Sequence, residues 1–431
     1  MLPQAFLQRM ELQLGEEYPA FLQSLERPRA VALRFNPLKG AAPQLDFVCD
    51  PVLWESCGFY YDPQYRPGLH PYHDCGVYYL QEASAKAPVT LLDPQPGEMV
   101  CDLCAAPGGK STQIASRLQG EGLLVSNEIH PKRAKILSRN MERMGVANAL
   151  VTNETPERLA KQFPNFFDRV LVDAPCSGEG MFRKEEAAVA DWSVETVQMC
   201  AARQLEILGS AAQMVRPGGR MVYSTCTFSS EENEQVIATF LAGHSDFELQ
   251  DVDAPWFDRV SEGNYRMWPH KLLGEGHFAA VLRKKGEARE LPERQKAQPA
   301  PEVWQEFARD MEISLPKGNA LLFGQSLFWI PEQMPQLKGL KVLRPGLELG
   351  ELKKDRFEPA HALALWLKTC KNTVELAPGD PAVEAYLQGQ VIPGSQKGWC
   401  FVTVGGYSLG WCKGDGAQLK NHYPKGLRRT S

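Results

Sequence analysis

Apolar positions along the 431-residue chain change period several times, and the changes mark out units. Between residues 1 and 24, Phe6, Leu7, Met10, Leu14, Phe21 and Leu22 recur at helical spacing with breaks near Gly15 and Pro19, which predicts two short helices. The stretch AVALRFNP (30–37) alternates like a strand, and 51–75 is rich in turn residues and aromatics. Residues 1–75 therefore read as an N-terminal α+β module. From about residue 76, short apolar runs alternate with amphipathic stretches. Strands are predicted at 98–103, 123–129, 149–153, 168–173 and 219–225, and helices at 109–119, 131–145, about 195–215 and 230–242. Such alternation gives parallel strands joined by crossover helices, so 76–285 reads as an α/β domain with a doubly wound sheet. Runs at 247–251 and 277–283 would complete the sheet edge. Segment 286–301 is charged, contains prolines and lacks large apolar residues, the composition of a linker. A small α/β unit (302–370) and a compact Gly- and aromatic-rich β unit (371–431) follow.

Composition narrows the class. Apolar residues make up 43% and charged residues 23% of the chain, an ordinary globular balance. A net charge of −5 rules out a uniformly basic surface but not a local basic groove. No run approaches the ~18 apolar residues of a membrane span, and the N-terminus, acidic by Glu11, is not expected to be a signal peptide. Eleven cysteines without framework spacing suit a reducing cytoplasm. Cys101 and Cys104 form a C-x-x-C with no second pair nearby, which favours packing over metal, and no metal is expected. A monomer is expected as well.

The segment CDLCAAPGGKST (101–112) raises the sharpest question. A Gly-rich turn between a buried strand and a helix aims backbone N–H groups at a ligand from the positive end of the helix dipole. Gly109, Lys110 and Ser111 end like a P-loop, and Asp173 after RVLV could serve as its acidic partner, so a P-loop NTPase is one reading. Against it, Cys104 stands where the first P-loop glycine should be, and Pro107 removes a donor N–H. Glu128, at the end of the second predicted strand, suits a ribose with its two hydroxyls and would repel polyphosphate. A nucleoside of little negative charge, such as S-adenosylmethionine, fits better.

Cys176 (in DAPCSGEGMFRK) and Cys226 (in STCTFSSEENE) fall just past two predicted strand ends, on the crevice side of the sheet. Methylation of pyrimidine carbon 5 is chemistry that needs a thiolate there: addition to C6 breaks aromaticity and makes C5 nucleophilic. Asp173 is a candidate contact for the N3 and N4 edge of cytosine and, if protonated, could supply charge at N3.

In order and spacing, CAAPGGK, DAPCSGEGMFRK and STCTFSSEENE, with LRFN (33–36), YYLQEASA (78–85) and KNHYPKGLR (420–428), resemble the RsmF-type branch of the Sun-related RNA cytosine-C5 methyltransferases nearly end to end. The resemblance implies a class I S-adenosylmethionine-dependent methyltransferase core. In it Cys104, Ala105, Ala106, Pro107, Gly108, Gly109 and Lys110 lie along the methionine part of the cofactor, Glu128 on the ribose, and Asp173 within the cofactor site. It further implies Cys226 as nucleophile, Cys176 as the residue assisting release, small-subunit ribosomal RNA near the decoding region as substrate, and a PUA-like RNA-binding unit at the C-terminus. Relatives carry an aspartate toward the adenine where this chain has Thr155, so Thr155, Glu154 or Asn153 is expected to take that contact.

Candidate RNA contacts are Arg34, Arg183, Lys184, Lys413, Lys420, Lys425, Arg428 and Arg429, with Tyr423 for stacking. Gln81 and Ser84 are either substrate-side or helix-cap residues. Besides the NTPase, two rivals stand: a non-catalytic RNA-binding protein with a relict core, and a methyltransferase acting on tRNA.

Overall fold

The computed structural model describes residues 2–287, 293–354 and 356–430; part of the expected linker, 288–292, lies outside them. A central sheet of ten strands organises the chain. Its parallel part comprises β1 (Met99–Asp102), β2 (Leu123–Asn127), β3 (Ala149–Thr152), β4 (Phe167–Asp173) and β5 (Val215–Thr225), in the order β3-β2-β1-β4-β5. β6 (His277–Lys284) runs antiparallel to β5 and leads to an antiparallel hairpin, Asp258–Ser261 and Asn264–Met267. β1, β2 and β3 are buried throughout, as their unbroken apolar runs require of strands covered on both faces. The crossover helices are α1 (Gly109–Leu118), α2 (Pro131–Arg143), α3 (Pro156–Gln162), α4 (Val194–Met214) and α5 (Glu234–Gly243). All five expected core strands form, and four of these helices were expected; α3, with only seven residues, is too short for a clear period.

The N-terminal pair of helices, Gln4–Leu14 and Tyr18–Glu26, docks Phe6 and Phe21 edge-on against Phe182, Trp192, Phe228 and Trp268 of the central domain. A four-stranded sheet follows, and its last strand, Tyr78–Leu80, pairs with Ala32–Phe35. The N-terminal module therefore extends past residue 75.

Residues 302–370 are less independent than their composition suggests. Strand Val342–Pro345 pairs antiparallel with β3 (Val342 opposite Thr152) and closes that edge of the central sheet. The rest of the unit is a four-stranded antiparallel sheet with helices Glu302–Asp310 and His361–Trp366. Residues 294 and 298 of the expected linker bridge to Pro335 and Ala320, so that stretch lies against the unit. The C-terminal unit is a five-stranded sheet with helix Pro381–Leu387, and its Tyr386 and Val402 share one apolar core with Leu33, Phe35 and Tyr78 of the N-terminal module.

Candidate active site

The carboxyl ends of β1, β2, β4 and β5 surround a crevice of about 920 Å³ lined by Cys104, Ala106, Glu128, Thr155, Asp173, Cys176 and Cys226, among others. Parallel pairing sets this geometry: Asp173 ends β4 directly opposite Ser224 of β5, so the loops carrying Cys176 and Cys226 leave the sheet side by side. The two sulfurs lie 3.2 Å apart. Gly180 N–H donates to the Cys226 carbonyl at 2.8 Å and pins the loops together. Behind Cys176, buried Glu232 accepts from Ser177 N–H and Gln204 Nε2, both at 2.9 Å. Burial pushes the Glu232 carboxyl up to about 7 in spite of those bonds.

Lys110, at the first turn of α1, forms a 2.8 Å ion pair with Asp173 Oδ2, while Ser224 Oγ donates to Asp173 Oδ1 at 2.8 Å. Burial alone would raise the Asp173 carboxyl, but the Lys110 ammonium, with His277 behind it, holds it well below the usual carboxylate range. Asp173 is thus a carboxylate, so the charge at N3 that it could have supplied if protonated does not come from it. Lys110 is raised against its own burial by Asp173 first, with Cys226 contributing, so it stays an ammonium. The Cys176 thiol is pushed well above its ordinary value, by the contact with Cys226 first and by burial second.

The 104–110 turn is held from α2, since Arg133 donates to the Ala106 carbonyl and Asn140 to that of Pro107, each at 2.9 Å. Gly108 has φ +116°, a conformation that favours glycine, and a Cβ there would press on the Leu137 side chain at 3.2 Å. Glu128 is 3% exposed and keeps its carboxylate in place through His130 N–H at 2.8 Å and Arg133 at 3.3 Å. Of the three expected adenine contacts, Thr155 lines the crevice and also caps α3. Glu154 turns away to Arg158 at 2.8 Å, and Asn153 ties down the Glu128 and Ile129 carbonyls. Six carboxylates line the crevice (Glu128, Glu157, Asp173, Glu185, Asp191, Glu206) against two arginines, Arg133 and Arg203, a wall that disfavours polyphosphate.

Family models match the chain in series: the N-terminal domain of 16S rRNA methyltransferase RsmF at 2–83, 16S rRNA methyltransferase RsmB/F at 89–283, the RsmF first C-terminal domain at 306–367 and the RsmF PUA domain at 373–429. Ribosomal RNA small subunit methyltransferase F of Vibrio vulnificus is 32% identical, with 99% of this chain and 98% of that one covered. The chain belongs to that family. The same-named protein of Aeromonas hydrophila is 35% identical over 95% of this chain and 94% of its own. Among solved structures, a methyltransferase homologue from Pyrococcus horikoshii is 27% identical with a TM-score of 0.55, covering 66% of this chain and all (100%) of that one. These matches leave the NTPase reading without support, and Lys110, which a P-loop would aim at phosphate, is spent on Asp173.

Several of the candidate RNA contacts occupy structural positions. Arg34 is fully buried and donates to Thr112 Oγ1 at 2.8 Å, the Gly109 carbonyl and Ser116 Oγ at 3.3 Å, and Gln81 at 3.4 Å, stitching the N-terminal sheet to α1. Arg183 pairs with buried Glu275 at 2.8 Å and donates to the Ser24 and Gly274 carbonyls. Tyr423 is 4% exposed, its ring against His361 and Tyr386. Arg428 donates to the Tyr423 carbonyl, and Arg429 pairs with Asp74 at 2.6 Å and Glu384 at 2.9 Å. Lys184 is half-buried, its charge felt by Glu82. Lys413, stacked over Trp399, and Lys420 and Lys425 reach solvent. Sequence reasoning missed Ser224, Glu232 and His277 around the thiols; the only signal was their place in or beside the cysteine motifs and the edge strand.

Proposed function

We propose that this chain transfers a methyl group from S-adenosylmethionine to carbon 5 of a cytosine in small-subunit ribosomal RNA near the decoding region, through an adduct between Cys226 and C6 of the base. The 3.2 Å pair of Cys176 and Cys226 sulfurs beside the Lys110–Asp173 ion pair carries this reading. The crevice suits the cofactor: Glu128 offers a fixed carboxylate to ribose hydroxyls, the 104–110 turn opens at the start of α1, and the acidic wall favours a sulfonium. When bound, S-adenosylmethionine supplies an electrophilic methyl group.

The residues divide the remaining work. Cys226 adds as a thiolate to C6 of the base and leaves C5 nucleophilic. Asp173, an acceptor only, is suited to the exocyclic amine of cytosine, and Lys110 supplies the positive charge as the ring gains electrons. Once C5 carries the methyl group, its proton must leave so that the C5=C6 bond re-forms and the Cys226–C6 bond breaks. Cys176 is placed for that removal. While Cys226 is a thiolate, Cys176 is held as a thiol; bonding of Cys226 to C6 removes the first cause of that elevation, so Cys176 can yield its proton to solvent and then take the one from C5.

The test uses wild type, Cys226→Ala and Cys176→Ala with S-adenosylmethionine and small-subunit rRNA or subunits, reading methyl incorporation and protein–RNA adducts on denaturing gels. Cys226→Ala should be inactive with no adduct, and Cys176→Ala should accumulate one. An adduct with Cys226→Ala alone would exchange the two roles, and no methyl transfer by wild type would refute the reading.

A further inference from the structure

A row of free positive charge beside the crevice lies on α2, a helix to which neither the sequence motifs nor the reaction assigns an RNA-binding role. Its thirteen residues, PKRAKILSRNMER, hold five cations and one carboxylate in a chain whose net charge is −5. The helix divides by face. Ala134, Leu137 and Met141 are buried in the core, and Arg133 and Asn140 hold the 104–108 turn. Lys132, Lys135 and Arg139 point to solvent, and no ion pair or hydrogen bond is found for them among the described residues. Ile136 lies among them 47% exposed.

An ordinary solvated helix face intersperses acids at three- and four-residue spacing. Here Lys132 with Lys135 and Lys135 with Arg139 are like charges at those spacings, which weakens the isolated helix, and the helix's one acid, Glu142 three residues after Arg139, pairs with Arg344. The row also has direction. It begins beside Glu128, His130 and Arg133 at the crevice rim and ends where Arg143 donates to the His73 and Tyr78 carbonyls of the N-terminal module. At about 1.5 Å per residue, Lys132 to Arg139 spans about 10 Å, enough for about three phosphates of one stacked strand.

We propose that the solvent face of α2, Lys132, Lys135 and Arg139 with Ile136 between them, is a binding track for the phosphate backbone of the RNA substrate, leading from the N-terminal module to the crevice. This rests on the RNA-methyltransferase reading above. Phosphate charge answers the three unpaired cations, and Ile136 offers an apolar surface to a ribose or base. The arginines first expected in this role, Arg34 and Arg183, are consumed by internal partners, whereas Lys132, Lys135 and Arg139 face solvent.

The experiment compares wild type, Lys132→Gln/Lys135→Gln/Arg139→Gln, and a charge-matched control, Lys285→Gln/Lys317→Gln/Lys338→Gln, on small-subunit rRNA between 50 and 250 mM salt, with S-adenosylmethionine affinity measured separately. The α2 variant should raise KM for RNA by about tenfold or more, and flatten the slope of log KM against log salt by about 2, since each lost phosphate contact removes about 0.7. Its kcat at saturating RNA and its cofactor affinity should match wild type, and the control should keep the wild-type KM and slope. An α2 variant whose KM and salt slope equal those of an active wild type overturns the proposal, as does an equal change in the control, which would mean that net charge alone matters. A wild type that methylates no RNA would instead defeat the function on which the track rests, and the track with it.

Discussion

Lys110 and Asp173, sixty-three residues apart, meet in a 2.8 Å ion pair between the start of α1 and the end of β4. One comes from the turn that reads as cofactor-binding, the other from the motif that carries a cysteine, so the pair couples the two halves of the crevice. Replacing Lys110 by Met removes the largest charge opposing burial, so the Asp173 carboxyl rises, with His277 and Ser224 left to hold it. Methyl transfer should fall by about 10²- to 10³-fold. The stability effect has a definite sign. A carboxyl depressed in the folded state stabilises it above the ordinary value of about 3.9, and that contribution is lost as pH falls below this toward the folded value. Lys110→Met should therefore move the acid-unfolding midpoint, followed by circular dichroism, to higher pH.

The two thiols should differ in reactivity although both are half-buried and their sulfurs are 3.2 Å apart. Cys176 is held as a thiol well beyond neutral pH, and alkylation requires the thiolate. Brief iodoacetamide treatment at pH 8, followed by peptide mass spectrometry, should label Cys226 ahead of Cys176. In Cys226→Ala the contact that chiefly raises it is gone, and Cys176 should become more reactive than in wild type. Preferential labelling of Cys176 in the intact protein would contradict the assigned protonation.

The core sheet was legible because strands such as Leu123–Asn127 and Phe167–Asp173 are short apolar runs separated by long amphipathic helices, a pattern few other arrangements satisfy. The cysteine pair was legible for the same reason: parallel neighbours bring their following loops together. The RNA contacts were not. Arg34 and Lys132 carry the same formal charge, and only the tertiary packing shows that one lies under α1 and the other faces water. Strand Val342–Pro345 was equally hidden, because joining β3 from two hundred residues away leaves no local periodic trace.

Glu232 makes a pH prediction of opposite sign to that of Asp173. Its carboxyl is raised in the folded state to about 7, against about 4.3 when unfolded. Folding is favoured while the group is protonated, and that advantage disappears as pH rises from about 4.3 through 7. The difference corresponds to about 4 kcal/mol at most. Glu232→Gln keeps an oxygen for Ser177 N–H and Gln204 and carries no charge, so its stability between pH 5 and 8 should be flatter than wild type. Parallel urea unfolding at pH 5 and 8 measures the change; an equal pH dependence in both proteins would mean that Glu232 is already ionised at pH 5.

Arg34 separates a structural arginine from an RNA-binding one. Its guanidinium is fully buried, drawn down to about 10 by that burial, and spread over Thr112, Gly109, Ser116 and Gln81. Removing one member of a buried charged network costs about 3–5 kcal/mol. Lysine cannot reproduce the fork, because it presents one point charge where the guanidinium spans acceptors on two sides. Arg34→Lys should therefore lower the melting temperature by several degrees and loosen the start of α1, raising the dissociation constant for S-adenosylmethionine through Gly109 and Lys110. KM for RNA should stay near wild type in protein that remains folded, with an unchanged salt slope. A shallower salt slope at full thermal stability would instead return Arg34 to the RNA interface.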